Sequence, residues 1–306
     1  MSPRFDVSAA WTVVRGFAMG AADVVPGVSG GTIALVLGIY ERLVANIRRA
    51  AEVTSRLLRA DGRGAVTAFR SIEWGFLVPL GLGLGVAVVS LARVIDTLLE
   101  EEPVAMSGLF FGLVAASAVV AWGLIGVRDR FRLTVLVSVG VVTFVALGFQ
   151  SGERADPALW AFLAGGALAV CAMILPGVSG SFLLLTVGMY QPVLDAVNDR
   201  QFDQILMLAV GALVGLIAFS TVLHWALETH HDTVMAALVG LMVGSLRVLW
   251  PWPAGIEEVG LGRPDGDVGL AVGLAIVAAA GVLAFTRYAN RADPQPAPAV
   301  PPPAVP

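Results

Sequence analysis

The stretch Asp23-Val24-Val25-Pro26-Gly27-Val28-Ser29-Gly30-Gly31-Thr32 falls inside an apolar run that extends over about 8–47. Pro26 lacks an N–H and disrupts the turn before it. The neighbouring glycines permit the turn conformations in which a chain reverses. A helix restarting at Ser29 or Gly30 presents unpaired amides and the positive end of its dipole, which suits a phosphate or carboxylate. The five residues Pro26 to Gly30 return as Pro176-Gly177-Val178-Ser179-Gly180, followed by Ser181, inside a second apolar run over about 158–197.

Working outward, the match continues without a gap from Gly38-Ile39-Tyr40 to Gly188-Met189-Tyr190. Gly81, Gly85 and Ser90 share the spacing of Gly211, Gly215 and Ser220, and Gly108-Leu109 with Gly112 shares that of Gly240-Leu241 with Gly244. Four blocks in one order indicate a duplication with its boundary near 150. The halves are then 1–150 and 151–291, and the proline-rich residues 292–306 form a disordered tail.

Composition says what surrounds these halves. Hydrophobic residues make up 57% and charged residues 14% of 306, with a mean hydropathy of +0.84; soluble domains have about 45–50% and about 25%. So few charges cannot clothe a protein in water, and the chain reads as an all-α polytopic membrane protein. A net charge of −4, scattered along the chain, excludes nucleic acid as a partner. Spans of roughly 20 apolar residues fall at about 74–99, 103–125, 132–149, 204–227 and 268–287, and a slightly short one at 233–250 ends in Trp250-Pro251-Trp252. Each half thus holds one Pro/Gly-broken hairpin and three spans. A hairpin returns to its starting face and three spans are odd, so the second half enters from the opposite side. Inverted repeats of this kind are the architecture of secondary transporters.

All nineteen basic residues are arginine. They crowd 48–70, read as an interfacial amphipathic helix, then 128–132, then Arg287 and Arg291. The positive-inside rule puts those segments and both termini in the cytoplasm. The 228–232 loop, which carries no arginine, is the weak point of that assignment. Arg15 interrupts the first apolar stretch, so no cleavable signal peptide is expected.

The candidate anion site is Ser29, Gly30, Gly31, Thr32, Ser179, Gly180 and Ser181, with Pro26, Gly27, Pro176 and Gly177 shaping the hairpins. Ionisable residues in spans are costly and often functional. Asp23 and Glu41 are coupling or gating candidates; their repeat counterparts are Met173 and Gln191, so such a role is asymmetric. Arg93 and Arg247 lie in the outward thirds of their spans, where an arginine either snorkels to headgroups or receives a lipid phosphate. His230, His231 and Asp232 read as a solvated loop and Cys171 as a packing residue. Nucleotide loops, nucleophile elbows and zinc-protease motifs are missing, which argues against ATP-driven transport and most membrane hydrolases. No cofactor or metal is expected. The residues alone give an inverted-repeat transporter for something anionic. A carrier of a small soluble anion and a membrane lipid-phosphate enzyme stay open as alternatives.

The stretch from Gly20 to Leu43, with Leu175 to Ser181 and Gly244 to Trp252, resembles the bacterial polyprenyl-phosphate transporter family (PopT type) over about 10–288. The resemblance implies translocation of undecaprenyl phosphate across the bacterial cytoplasmic membrane, returning the lipid carrier for envelope polymers. It implies that lipid, and membrane lipids around it, as partners, and leaves the oligomeric state unknown. The family's motif lands on Asp23, Pro26 through Thr32, Tyr40 and Glu41, and on Pro176 through Ser181, Tyr190, Ser245 and Arg247. It assigns no individual roles.

Overall fold

A computed structural model of the chain describes residues 7–25, 27–149, 157–252 and 260–292. Every regular element in them is helical. In the first half, α1 (Val7–Asp23) runs to the break, α2 (Gly30–Val36) leaves it, and α3 (Tyr40–Leu58) and α4 (Gly62–Ser71) follow. Three long apolar helices complete the half: α5 (Trp74–Glu101), α6 (Pro103–Gly123) and α7 (Arg130–Ala146). The second half begins with α8 (Leu159–Ile174), α9 (Gly180–Thr186) and α10 (Tyr190–Asn198), and continues with α11 (Phe202–Ser245) and α12 (Val268–Ala292). Forty-four residues in α11 amount to about 66 Å at 1.5 Å per residue, twice what a bilayer needs. The helix is in fact two arms, 202–229 and 231–245, meeting at a kink where His230 leaves helical geometry.

Local chemistry sets the boundaries. Asp61 and Asp129 cap α4 and α7 by accepting from the amides of Gly64 and Arg132, both at 2.9 Å, and Pro103 opens α6 where a missing N–H costs nothing. The limb returning from each break is shorter than the apolar runs suggest. α2 and α9 are seven residues each, because Gly38 (φ +66°) and Gly188 (φ +70°) turn the chain left-handedly. α9 and α10 are bent by 111° there. The amphipathic segment expected over 48–70 therefore starts earlier, at Tyr40, and is split at 59–61 into α3 and α4. Buried Asn46 ties α3 to the start of α5: its amide oxygen accepts from Glu73 N at 2.9 Å, while Arg42 and Arg49 pair with the Glu73 carboxylate.

The helices pack through glycine seams that recur between the halves. In the first, Gly16 lies against the backbone of Leu80 and Gly83 against that of Val13; in the second, Gly166 lies against Leu208 and Gly211 against Leu163. This corrects the expected alignment. Gly81 and Gly85 face open space, and Gly83 is the counterpart of Gly211. A second pair of seams crosses between the halves. Gly108 and Gly112 of α6 meet Ala271 and Ala275 of α12, while Gly240 and Gly244 of α11 meet Leu136 and Gly140 of α7. The second span of each half thus packs on the third span of the other.

Candidate functional site

Both breaks share one backbone path. Gly27 and Gly177 each take φ +83°, and Ser29 and Ser179 each stand in extended geometry as the N-cap residue. Pro26 lies outside the described residues; Val25, Gly27 and Pro176 are buried. The short helices begin at Gly30 and Gly180, where free amides would otherwise be left in an apolar interior.

The side chains finish the two breaks differently. At the first, the Asp23 carboxylate accepts from Gly30 N at 2.5 Å, Ser29 Oγ accepts from Gly31 N at 3.1 Å, and Thr32 N donates to the Ser29 carbonyl at 2.9 Å. The chain's own carboxylate thus caps the first amide of α2. Ser29 is 2% and Thr32 0% exposed. At the second, Met173 replaces the aspartate and is 64% exposed. Ser179 makes no capping bond, and its hydroxyl lies 2.9 Å from that of Ser181, which is exposed.

The two breaks also touch. Thr32 Oγ1 accepts from Gly177 N at 2.8 Å, and buried Tyr40 donates its hydroxyl to the Ile174 carbonyl at 3.1 Å. Gly31 packs beside Ile174 and Pro176. The first break thus satisfies the backbone that the second leaves open. Residues 242–249 wall both turns, Met242 and Ser245 against Gly177 and Val248 against Gly27. Arg247, from the same segment, turns its guanidinium onto the Phe144 ring at 4.8 Å and beside Gly148, toward α7 rather than toward either break. Its Nε is buried without a hydrogen-bond partner among the described residues. Arg93 is exposed on α5.

The family profile for VCA0040-like, undecaprenyl phosphate translocase-like proteins matches residues 19–260. The chain belongs to that family. All the candidate residues lie inside the matched range. A polyprenyl-phosphate transporter of Vibrio cholerae is 40% identical over 243 residues, covering 79% of this chain and 77% of that protein. One of Staphylococcus aureus is 29% identical over 256 residues, covering 78% of this chain and 85% of that protein. No solved structure matches the chain significantly.

Two features of this family member escape a sequence reading. The bracing pair Thr32 and Tyr40 is one; the gapless repeat alignment of Tyr40 with Tyr190 was its visible trace, yet Tyr190 is exposed. The other is the turn expected to be mere solvated loop. His231 Nε2 lies 2.8 Å from Glu41 Oε1, and Asp232 accepts from the amides of Gly126 and Val127 at 3.1 and 2.9 Å. Glu41 therefore sits at the ends of the spans, tied to the α11 kink. The hydrogen bond to Glu41 raises the His231 pKa to about 9, and the same bond lowers that of Glu41.

Proposed function

We propose that this protein carries a polyprenyl phosphate across the bacterial cytoplasmic membrane, through two inverted repeats whose breaks are re-entrant hairpins meeting within the bilayer. The contact of Thr32 with Gly177 carries this reading: irregular backbone survives in an apolar interior only where protein or a polar cavity satisfies it. The reciprocal glycine seams support a two-fold relation between the halves. The relatives' name, polyprenyl-phosphate transporter, supplies the substrate class.

The phosphate is received at the second break, by the Ser179 and Ser181 hydroxyls and the amides around Gly180. The first break, filled by Asp23, supports it. Arg247 receives the headgroup from the outer leaflet, with both termini cytoplasmic, and Glu41 belongs to the contact that opens and closes the cytoplasmic side. A serine hydrolase reading lacks its base. His224 pairs with Glu228, His230 meets Trp225 edge to face and His231 bonds Glu41, all near the α11 kink.

The test is reconstitution of the purified protein in liposomes with labelled undecaprenyl phosphate in one leaflet. Transfer to the other leaflet, lost in the Ser179→Ala/Ser181→Ala double variant at equal protein level, is the expected result. Absence of transfer by the unaltered protein, or release of inorganic phosphate, overturns the reading.

A further inference from the structure

Two grooves open sideways on the membrane-facing surface, and they are copies of each other. The smaller, about 270 Å³, runs between α7 and the second arm of α11. Its α7 wall is Leu136, Val137, Gly140, Val141 and Phe144, and its α11 wall is Val243 and Gly244. The larger, about 480 Å³, runs between α6 and α12. There the first wall recurs as Ala271, Val272, Ala275, Ile276 and Ala279, and the second as Phe111 and Gly112. Every lining residue of the smaller groove thus has its counterpart in the larger one.

They differ in two ways: the larger is also lined by Trp250, Pro251, Trp252 and Pro264, which have no counterpart in the smaller, and the two differ in charge at one end. The position of Arg247, three residues beyond Gly244, is taken in the copy by Ala115, three residues beyond Gly112. The guanidinium covers the ring of Phe144, which lines the smaller groove, and its Nε has no hydrogen-bond partner among the described residues. A cation therefore flanks the smaller slot behind Phe144, and an alanine stands at the matching position of the larger. The smaller slot is walled by apolar side chains and two glycines, Gly140 and Gly244, so a small soluble anion finds no donor along it. Its mouth is open, since Val137, Val141 and Val243 are all exposed.

We propose that the groove between α7 and α11 holds the isoprenoid chain of the transported lipid next to its phosphate, with Arg247 at the headgroup end. This rests on the function proposed above and adds the part of the substrate that the two breaks do not touch. The match is one of charge and shape: a long single apolar chain ending in an anion fits a narrow apolar slot flanked at one end by a cation. The copy between α6 and α12, without that cation, takes ordinary membrane lipid and gives no selectivity.

The experiment uses the full chain in phospholipid vesicles, with undecaprenyl phosphate and geranyl phosphate as probes. Val141, 57% exposed, lines the groove at its open side, so Val141→Trp adds bulk there. It should lower undecaprenyl phosphate transfer about tenfold through a raised KM, the effect of leaving roughly two methylenes unburied, and lower geranyl phosphate transfer as well, since its short chain is the segment next to the phosphate. Ile276→Trp, the same change in the copy, should leave both near the unaltered rate. Equal transfer of the long chain by Val141→Trp and the unaltered protein overturns the groove while leaving the function standing. No transfer by the unaltered protein overturns the function instead. A photo-crosslinking side chain at Val137 reads occupancy without depending on the tryptophan variant. An undecaprenyl phosphate adduct that survives excess phospholipid supports the proposal. Adducts with phospholipid in proportion to its abundance, or with a second copy of the chain, overturn it.

Discussion

The two breaks start from the same five residues and the same left-handed glycine turn, and they end as opposites. The first is capped from within: Asp23, itself exposed, and Ser29 occupy its amides, and Ser29 and Thr32 are buried. The second is open: methionine replaces the aspartate, and the two serine hydroxyls have only each other. The first break serves as a brace, reaching with Thr32 and Tyr40 into the backbone of the second. The same short motif need not give the same local structure twice.

The strongest way to break this comparison is to make the second tip resemble the first. Met173→Asp should supply an internal carboxylate to the amides at Gly180 and nearly abolish lipid transfer at unchanged membrane level. Normal transfer by that variant would mean the open tip is not where phosphate binds. Next come the turn glycines. Gly177→Ala meets the Met242 backbone, with an added Cβ 2.7 Å from its Cα, whereas Gly27→Ala meets the movable end of the Val248 side chain. Both incur the positive-φ cost of about 1–2 kcal/mol. Overpacking adds about 1–3 kcal/mol, mainly at Gly177, so its melting temperature in detergent should fall further.

A smaller effect tests the brace. Thr32→Val leaves Gly177 N–H buried without an acceptor, at about 1–3 kcal/mol. Ser179→Ala should cost less stability because that hydroxyl is half-exposed and caps nothing. The reverse order in thermal melts would show that the second tip, not the first, carries structural strength. The smallest effect lies outside the spans. The folded pKa of His231, near 9, lies above the ordinary value of 6.5, so its bond to Glu41 contributes fully below about pH 6.5 and is lost as pH rises through about 9. Both side chains are substantially exposed, which keeps the contribution small. His231→Gln should flatten the stability profile between these values, and an unchanged profile would remove this bond as its cause.

Much of this was legible beforehand because lipid imposes it. Spans must be long and apolar, so 74–99 and 103–125 announce themselves, and a Pro-Gly pair inside such a run must be a break. What lay hidden depends on contacts between elements. The spacing of Gly81 and Gly85 matches Gly211 and Gly215, yet spacing cannot say which glycine faces a neighbour, and Gly83 does. Asp23 reads as a lone carboxylate in an apolar run; only the folded turn brings it onto Gly30, seven residues away. His231 and Asp232 form a polar cluster with no periodicity, so nothing in the chain pointed to Glu41 or to the 126–127 amides.

The crossed seams have a consequence for how the molecule holds together. With α6 seated on α12 and α7 on the second arm of α11, each half lends a helix to the other, as in a swapped dimer whose two subunits have been joined into one chain. Neither half on its own can cover the glycine faces that its partner fills. A cut near residue 150 would therefore divide the sequence but not the fold, and should leave two pieces that remain clasped together.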